Sequence, residues 1–136
     1  MNNNSIFVEK LRSSGLRPTK QRIEICKLLF DRKDTFHFTI NDLSNELNND
    51  SVKKISLATI YNTIEAFTNA GYLKAILTSK SKSYYDTNIK SHHHFYDEGT
   101  KELTDIDYSQ IKLSKVPIPP KGKKIKNLEV VIRIQK

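Results

Sequence analysis

Apolar residues recur at helical spacing up to about Asn69 and at strand spacing beyond it, so the chain must build a helical first half and a sheet-bearing second half. Three helices are predicted. Thr19 caps one that carries Ile23, Cys26, Leu29 and Phe30 on one side. Thr39-Ile40-Asn41-Asp42 is a capping box, and Phe38 and Leu43 stand where a hydrophobic staple needs them. That box opens a short helix ending near Asn48-Asn49-Asp50. A third helix begins at Ser56 and stops at Gly71, which accepts the positive φ of a helix terminus. Leu57, Ile60, Ile64 and Phe67 fall on its apolar face, with Thr59, Asn62, Thr63 and Ala66 opposite. The polar start, Met1 to Ser5, is read as a tail.

Tyr72 to Thr78 and Ser83 to Thr87 then form a hairpin whose tip, Ser79-Lys80-Ser81-Lys82, is basic. Three helices followed by such a hairpin is the order of a winged helix-turn-helix. A second hairpin follows: a strand at 92–96, a turn at Asp97-Glu98-Gly99-Thr100 and a return through Leu103 to Ile106. A proline-rich break at Pro117-Ile118-Pro119-Pro120 precedes a last strand-like run, Leu128 to Ile134, suited to pairing across a dimer. The predicted class is α+β: a winged-helix DNA-binding domain at 1–87 and a small α/β dimerisation and ligand-sensing domain at 88–136.

Charge indicates the partner. The net charge is +8, and residues 1–33 hold eight Lys/Arg against three Asp/Glu, while 111–136 hold eight against one. Between them, 91–110 sets Lys101 against Asp97, Glu98, Glu102, Asp105 and Asp107. The basic ends suit an anionic polymer; the acidic patch repels phosphate and suits a cation. The third helix carries no charge before Glu65, so its first turns can approach duplex DNA closely. Ser56, Thr59, Tyr61, Asn62 and Thr63 are its candidate contacts, and Arg17, Lys20, Arg22, Lys80 and Lys82 are candidates for phosphates. An RNA-binding module would place aromatics on a sheet face, whereas Tyr84, Tyr85, Phe95 and Tyr96 are better explained by packing. A metalloenzyme would need a base beside an open metal site, and no motif such as HExxH occurs, so no enzyme is expected.

His92, His93 and His94 form the most distinctive run. Neutral imidazole binds transition metals and haem iron, although a histidine run is also compatible with a solvated loop. In a strand, His92 and His94 share one face and His93 takes the other, so the three cannot easily hold one ion. Partners available elsewhere are His37, Asp86 and Asp105, each of which has an ordinary alternative as a loop or solvated residue. A site joining His37 and Asp86 to His94 would tie the two halves together and let a ligand shift their orientation. Cys26, the sole cysteine, excludes an internal disulfide and a four-cysteine zinc site; its helical spacing favours a buried apolar position over a reactive thiol. The sequence contains neither a leader-like start nor an apolar run of membrane-spanning length, so a cytoplasmic protein without membrane contact is expected.

Taken together, Gly15-Leu16-Arg17-Pro18-Thr19-Lys20-Gln21-Arg22, His37-Phe38-Thr39, Leu57-Ala58-Thr59-Ile60-Tyr61, Ala70-Gly71-Tyr72-Leu73 and His92-His93-His94 resemble the ferric uptake regulator family of dimeric metal-responsive repressors. Asn62 after Tyr61 and Phe95 after the histidines are similar to its iron response regulator branch. The resemblance implies Thr59 and Tyr61 in the recognition helix and Arg17 near the DNA backbone. It implies His37, Asp86 and His94 at an inter-domain regulatory site, Asp105 at a further ligand position and His93 at a second site. The two CxxC pairs of many members are missing, so structural zinc is not expected. Phe95 and Tyr96 replace two ligands of the family's pattern, and the prolines shorten or remove the helix before the last strand. The resemblance thus implies a homodimeric regulator, mainly a repressor, of iron or haem homeostasis that binds a double-stranded operator. Its effector would be haem, held by histidines since Lys27 follows Cys26, or a divalent metal such as Fe(II) or Mn(II).

Overall fold

A computed structural model describes residues 3–49, 54–77 and 83–136. The chain forms two compact units, Met1–Ile89 and Lys90–Lys136.

The first unit opens on helix α1 (Asn3–Ser13) where the sequence reading expected a polar tail. Phe7 and Leu11, one helical turn apart, are buried in the core, and the adjoining asparagines disguise that short apolar stripe. Burial of each such side chain stabilises by about 1.5–3 kcal/mol, enough to order a helix with a polar start. Helix α2 (Lys20–Phe30) begins as expected, with the Arg22 amide donating to the Thr19 hydroxyl at 3.2 Å. Its buried stripe is Ile25, Cys26 and Leu29; Ile23 and Phe30 flank it half-buried, a small rotation from the expected face.

Strand β1 (His37–Phe38) leads into helix α3 (Ile40–Asn48), where both arms of the capping box form. The Asp42 amide donates to the Thr39 hydroxyl at 3.1 Å, and the Thr39 amide to the Asp42 carboxylate at 3.2 Å. Helix α4 (Leu57–Ala70) has Ser56 as its N-cap and stops at Gly71, whose φ of 89° lies in the left-handed region. Strands β2 (Lys74–Leu77) and β3 (Ser83–Asp86) follow, and the sheet order is β1-β3-β2, all antiparallel. The sequence supplied the hairpin but not β1, whose two residues are too few for a periodic signal. The core under this sheet joins Ile60, Ile64 and Phe67 of α4 to Leu29, Phe38, Leu43 and Tyr85. Phe30 packs edge-on to Phe67, and Phe38 stacks on Tyr85.

The second unit is a three-stranded sheet of order β5-β4-β6, from β4 (His92–Asp97), β5 (Leu103–Asp107) and β6 (Val131–Ile134). The β4–β5 hairpin is antiparallel, as expected, with His94 opposite Asp105, and the Asp97 carboxylate accepts the Gly99 and Thr100 amides across its turn. These bonds hold the Asp97 carboxyl below its ordinary pKa. Strand β6 lies parallel to β4 of the same chain, at the edge of the sheet. A parallel neighbour needs a long crossover, and residues 111–130 provide one. A single 3-10 turn, Tyr108–Gln110, is the helical structure between β5 and β6, in keeping with a helix shortened or lost at the prolines. Among the described residues, no helix is long and apolar enough to cross a membrane.

Candidate metal centre and nucleic-acid face

Helix α4 exposes its first two turns. Ile60, Thr63, Ile64 and Phe67 turn inward, leaving Tyr61 and Asn62 exposed and Thr59 half-buried. Thr63 was expected outward as a DNA contact. It is fully buried, and its hydroxyl donates to the Thr59 carbonyl at 2.7 Å, so it belongs to the core. This hydroxyl satisfies itself on its own helix, which is why a polar residue is tolerated there. Leu57 makes the opposite error: expected on the apolar face, it is 54% exposed. It lies one turn before Tyr61, which is 51% exposed, and beside exposed Ala58. The leading turn of α4 therefore offers Leu57, Ala58 and Tyr61 as apolar surface suited to thymine methyls, with Asn62 as a hydrogen-bonding group. Sequence periodicity missed Leu57 because the buried stripe starts only at Ile60. Ser56, exposed, is occupied as the helix cap, accepting the Thr59 amide at 3.2 Å.

Arg17 and Lys20 are exposed around the α2 start, and the Arg22 guanidinium donates to the Arg17 carbonyl at 2.9 Å, bracing that loop. Lys80 and Lys82 lie outside the described residues.

Each unit contributes candidate metal ligands, His37 and Asp86 from the first and His92, His94 and Asp105 from the second. In the first, β1 pairs with β3 so that His37 stands opposite Asp86 and Phe38 opposite Tyr85. The His37 Nε2 lies 3.1 Å from an Asp86 carboxylate oxygen, and the other oxygen accepts the Asn88 amide at 2.8 Å. Asp86 is 1% exposed, a costly place for a carboxylate unless cationic or hydrogen-bonding groups face it. On the neighbouring positions Phe38 and Tyr85 stack, and the Tyr85 hydroxyl donates to Glu65 of α4 at 3.2 Å. Burial first, and then the Glu65 charge, raise the Tyr85 hydroxyl to a pKa of about 12.

In the second unit, strand alternation places His92 and His94 on one face of β4, with His94 opposite Asp105 of β5 and His92 opposite Asp107. The Nε2 atoms of His92 and His94 each lie 3.3 Å from the same Asp105 oxygen, and the two rings are 4.4 Å apart between centroids. His92 Nδ1 contacts the Lys90 carbonyl at 2.5 Å, so Nδ1 carries the proton and donates it there. In the neutral ring, that bond leaves the Nε2 lone pair facing the carboxylate. That lone pair and the Asp105 oxygen repel unless a proton or cation lies between them, and two histidines with one carboxylate form a donor set suited to Fe(II) and similar ions. His93 stands apart on the other face. It stacks on Tyr108 at 5.0 Å, and its Nδ1 accepts the Val130 amide at 2.9 Å, joining β4 to the residue before β6. Asp105 keeps a 41% exposed side chain, so ions have a route to the triad.

The ferric uptake regulator family profile matches residues 13–133. The peroxide-responsive repressor PerR of Staphylococcus aureus strain Mu50 is 32% identical over 104 residues, spanning 76% of this chain and 68% of that protein. Among solved structures, the ferric uptake regulator of Pseudomonas aeruginosa with manganese aligns over 96% of this chain and 98% of its own, with a TM-score of 0.69 at 19% identity. The corresponding regulator of Francisella tularensis with iron covers 90% and 92%, with a TM-score of 0.67 at 21% identity. These likenesses show the fold, a helical winged domain followed by a small sheet domain.

Proposed function

This chain belongs to the ferric uptake regulator family, metal-responsive transcriptional regulators, and from that premise we propose that it is a homodimeric, cytoplasmic repressor of iron homeostasis whose operator affinity is set by a divalent metal ion. The proposed ligands are His37 and Asp86 in the first unit and His92, His94 and Asp105 in the second. The division of labour proposed for the domains is DNA reading at 1–87 and dimerisation with sensing at 88–136. The observation that carries this reading is the pair of imidazole Nε2 atoms, each 3.3 Å from one Asp105 oxygen, with His92 Nδ1–H donating to the Lys90 carbonyl. When bound, a divalent ion supplies the positive charge that this donor set otherwise lacks.

The residues themselves suggest how the signal reaches DNA. His37 and Asp86 face each other across β1 and β3, and their neighbours Phe38 and Tyr85 stack beneath α4. His37 and Asp86 would hold the cation from β1 and β3, and the Phe38–Tyr85 stack with the Tyr85–Glu65 bond would connect those strands to α4. Ser56, Thr59, Tyr61 and Asn62, with Leu57, then meet base edges, and Arg17, Lys20, Arg22, Lys80 and Lys82 meet phosphates. Two-fold symmetry sets two such helices on a pseudo-palindromic operator.

The carboxylate-centred triad, its two histidines buried, favours an ion over haem as effector, and Asn62 and Phe95 support a likeness to the iron response regulator branch. The test is titration of metal-free protein with Fe(II), Mn(II) and, separately, haem, while affinity is followed on duplexes selected from a random library. A metal-dependent change in affinity that is lost in Asp105→Asn is expected. A Soret band with haem-dependent release, and no response to either ion, overturns the ion reading.

A further inference from the structure

From Ile111 to Val130 the chain has neither helix nor strand, and its charge is one-sided. Lys112, Lys115, Lys121, Lys123, Lys124 and Lys126 meet no Asp or Glu until Glu129, and all six are exposed. The segment is nonetheless built. The Lys123 amide donates to the Pro120 carbonyl at 2.9 Å, closing a turn in which Gly122 takes a φ of 80°. That conformation suits glycine, and Pro117, Pro119 and Pro120 fix the backbone leading to it. Four lysines are thus gathered at and just beyond a tight turn on a stiffened chain.

An ordinary solubilising surface mixes both signs, because like charges held together repel. Here all the acids of the unit but Glu129 belong to the β4–β5 hairpin: Asp97, Glu98, Glu102, Asp105 and Asp107. We infer that the 111–130 crossover is a second DNA contact, a basic strap that binds the phosphate backbone of duplex DNA without reading its sequence. This inference rests on the DNA-binding reading given above and deepens it. Duplex DNA presents about one negative charge per 1.7 Å of its axis, a density that a cluster of lysines matches. The strap has no aromatic residue on which an unpaired base could stack, so a single-stranded nucleic acid finds no platform there. Proline-fixed backbone lowers the ordering cost of binding, so the lysines act as a preformed contact.

The test uses the full-length chain with Lys121, Lys123, Lys124 and Lys126 all replaced by Gln, and a second variant with the same four replaced by Arg. Affinity is measured from about 50 to 300 mM salt on a library-selected duplex and on a random-sequence duplex of equal length. Each lost phosphate contact flattens the log–log salt slope by about 0.9, so the Gln variant is expected to lose roughly two to four units of slope per chain. Both duplexes are expected to weaken together, leaving the ratio between them unchanged, and the Arg variant is expected to bind as wild type. Asn62→Ala is the contrast: it is expected to reduce the ratio and spare the slope. A Gln variant that keeps the wild-type slope, with wild type still binding the selected duplex, overturns the strap while leaving the DNA-binding function standing. Loss of binding to anionic lipid vesicles, with the DNA slope unchanged, also overturns it in favour of a membrane surface. Failure of wild type to bind either duplex overturns the DNA-binding function itself.

Discussion

The Cys26 thiol is expected to be nearly inert in the folded chain. It sits in α2 with no exposed surface, among Ile25, Leu29 and the rest of the first unit's core, and burial raises its pKa from the ordinary 9.0 to about 12. At pH 8 an ordinary thiol is about one-tenth thiolate, whereas this one is about one ten-thousandth, a ratio of ~1000 from ionisation alone. Its complete burial removes direct attack as well, leaving only reaction through opening of the core. Alkylation by iodoacetamide at pH 8, followed by mass spectrometry in native buffer and in denaturant, is therefore expected to differ by at least about 1000-fold in rate. The same shift has a signed consequence for stability. Between pH 9 and about 12 the folded chain keeps a proton that an unfolded chain has released, so stability is full below pH 9 and falls as pH rises through that window. Tyr85, also raised to about 12, acts in the same direction. Native alkylation at a rate near that of the denatured chain would refute the reasoning, and with it the reading of Cys26 as a buried, unreactive core residue.

Asp105→Asn is expected to weaken Fe(II) or Mn(II) binding by at least the 10- to 100-fold that loss of a supporting carboxylate costs, measured by competition with a fluorescent chelator. His93→Ala is expected to leave that affinity within a few-fold and instead to lower unfolding stability by about 1 kcal/mol, because the half-buried Val130 amide loses its acceptor. Equal effects of the two substitutions on metal affinity would contradict the separation of His93 from the triad. Tyr85→Phe is expected to keep metal affinity but narrow the ratio of DNA affinities with and without metal by about fivefold, the equivalent of losing about 1 kcal/mol of coupling. An unchanged ratio would remove Tyr85 and Glu65 from the path between β3 and α4.

Elements written in local chemistry could be read from sequence. The Thr39–Asp42 box, the Ser56 cap and the Gly71 stop each depend on neighbouring residues, and all three form as read. Elements that depend on distant partners could not. Helix α1 is held by Phe7 and Leu11 against a core assembled from later residues, and β1 exists because β3 pairs with it. Leu57 and Thr63 were exchanged for a similar reason. Periodicity fixes the spacing of a stripe but not its rotation, and the packing of α4 turned the buried arc to include Thr63 and release Leu57. The parallel pairing of β6 with β4 was equally out of reach, since a crossover leaves no periodic mark.

The histidine run shows where sequence and geometry each contribute. Two-residue alternation is a property of any strand, so it alone separates His93 from His92 and His94. It cannot say which ring atom is available. For His92 that follows from the Lys90 carbonyl, two residues upstream, which accepts the hydrogen bond from Nδ1–H and leaves Nε2 toward Asp105. Asp105 in turn depends on the β4–β5 register, in which it stands opposite His94. A slip of one residue would set it beside His93 instead, on the face where Tyr108 and the Val130 amide already occupy that ring. The turn from Asp97 to Thr100 fixes this register through two amide bonds to one carboxylate, so a surface aspartate well away from the triad decides which histidines share a carboxylate.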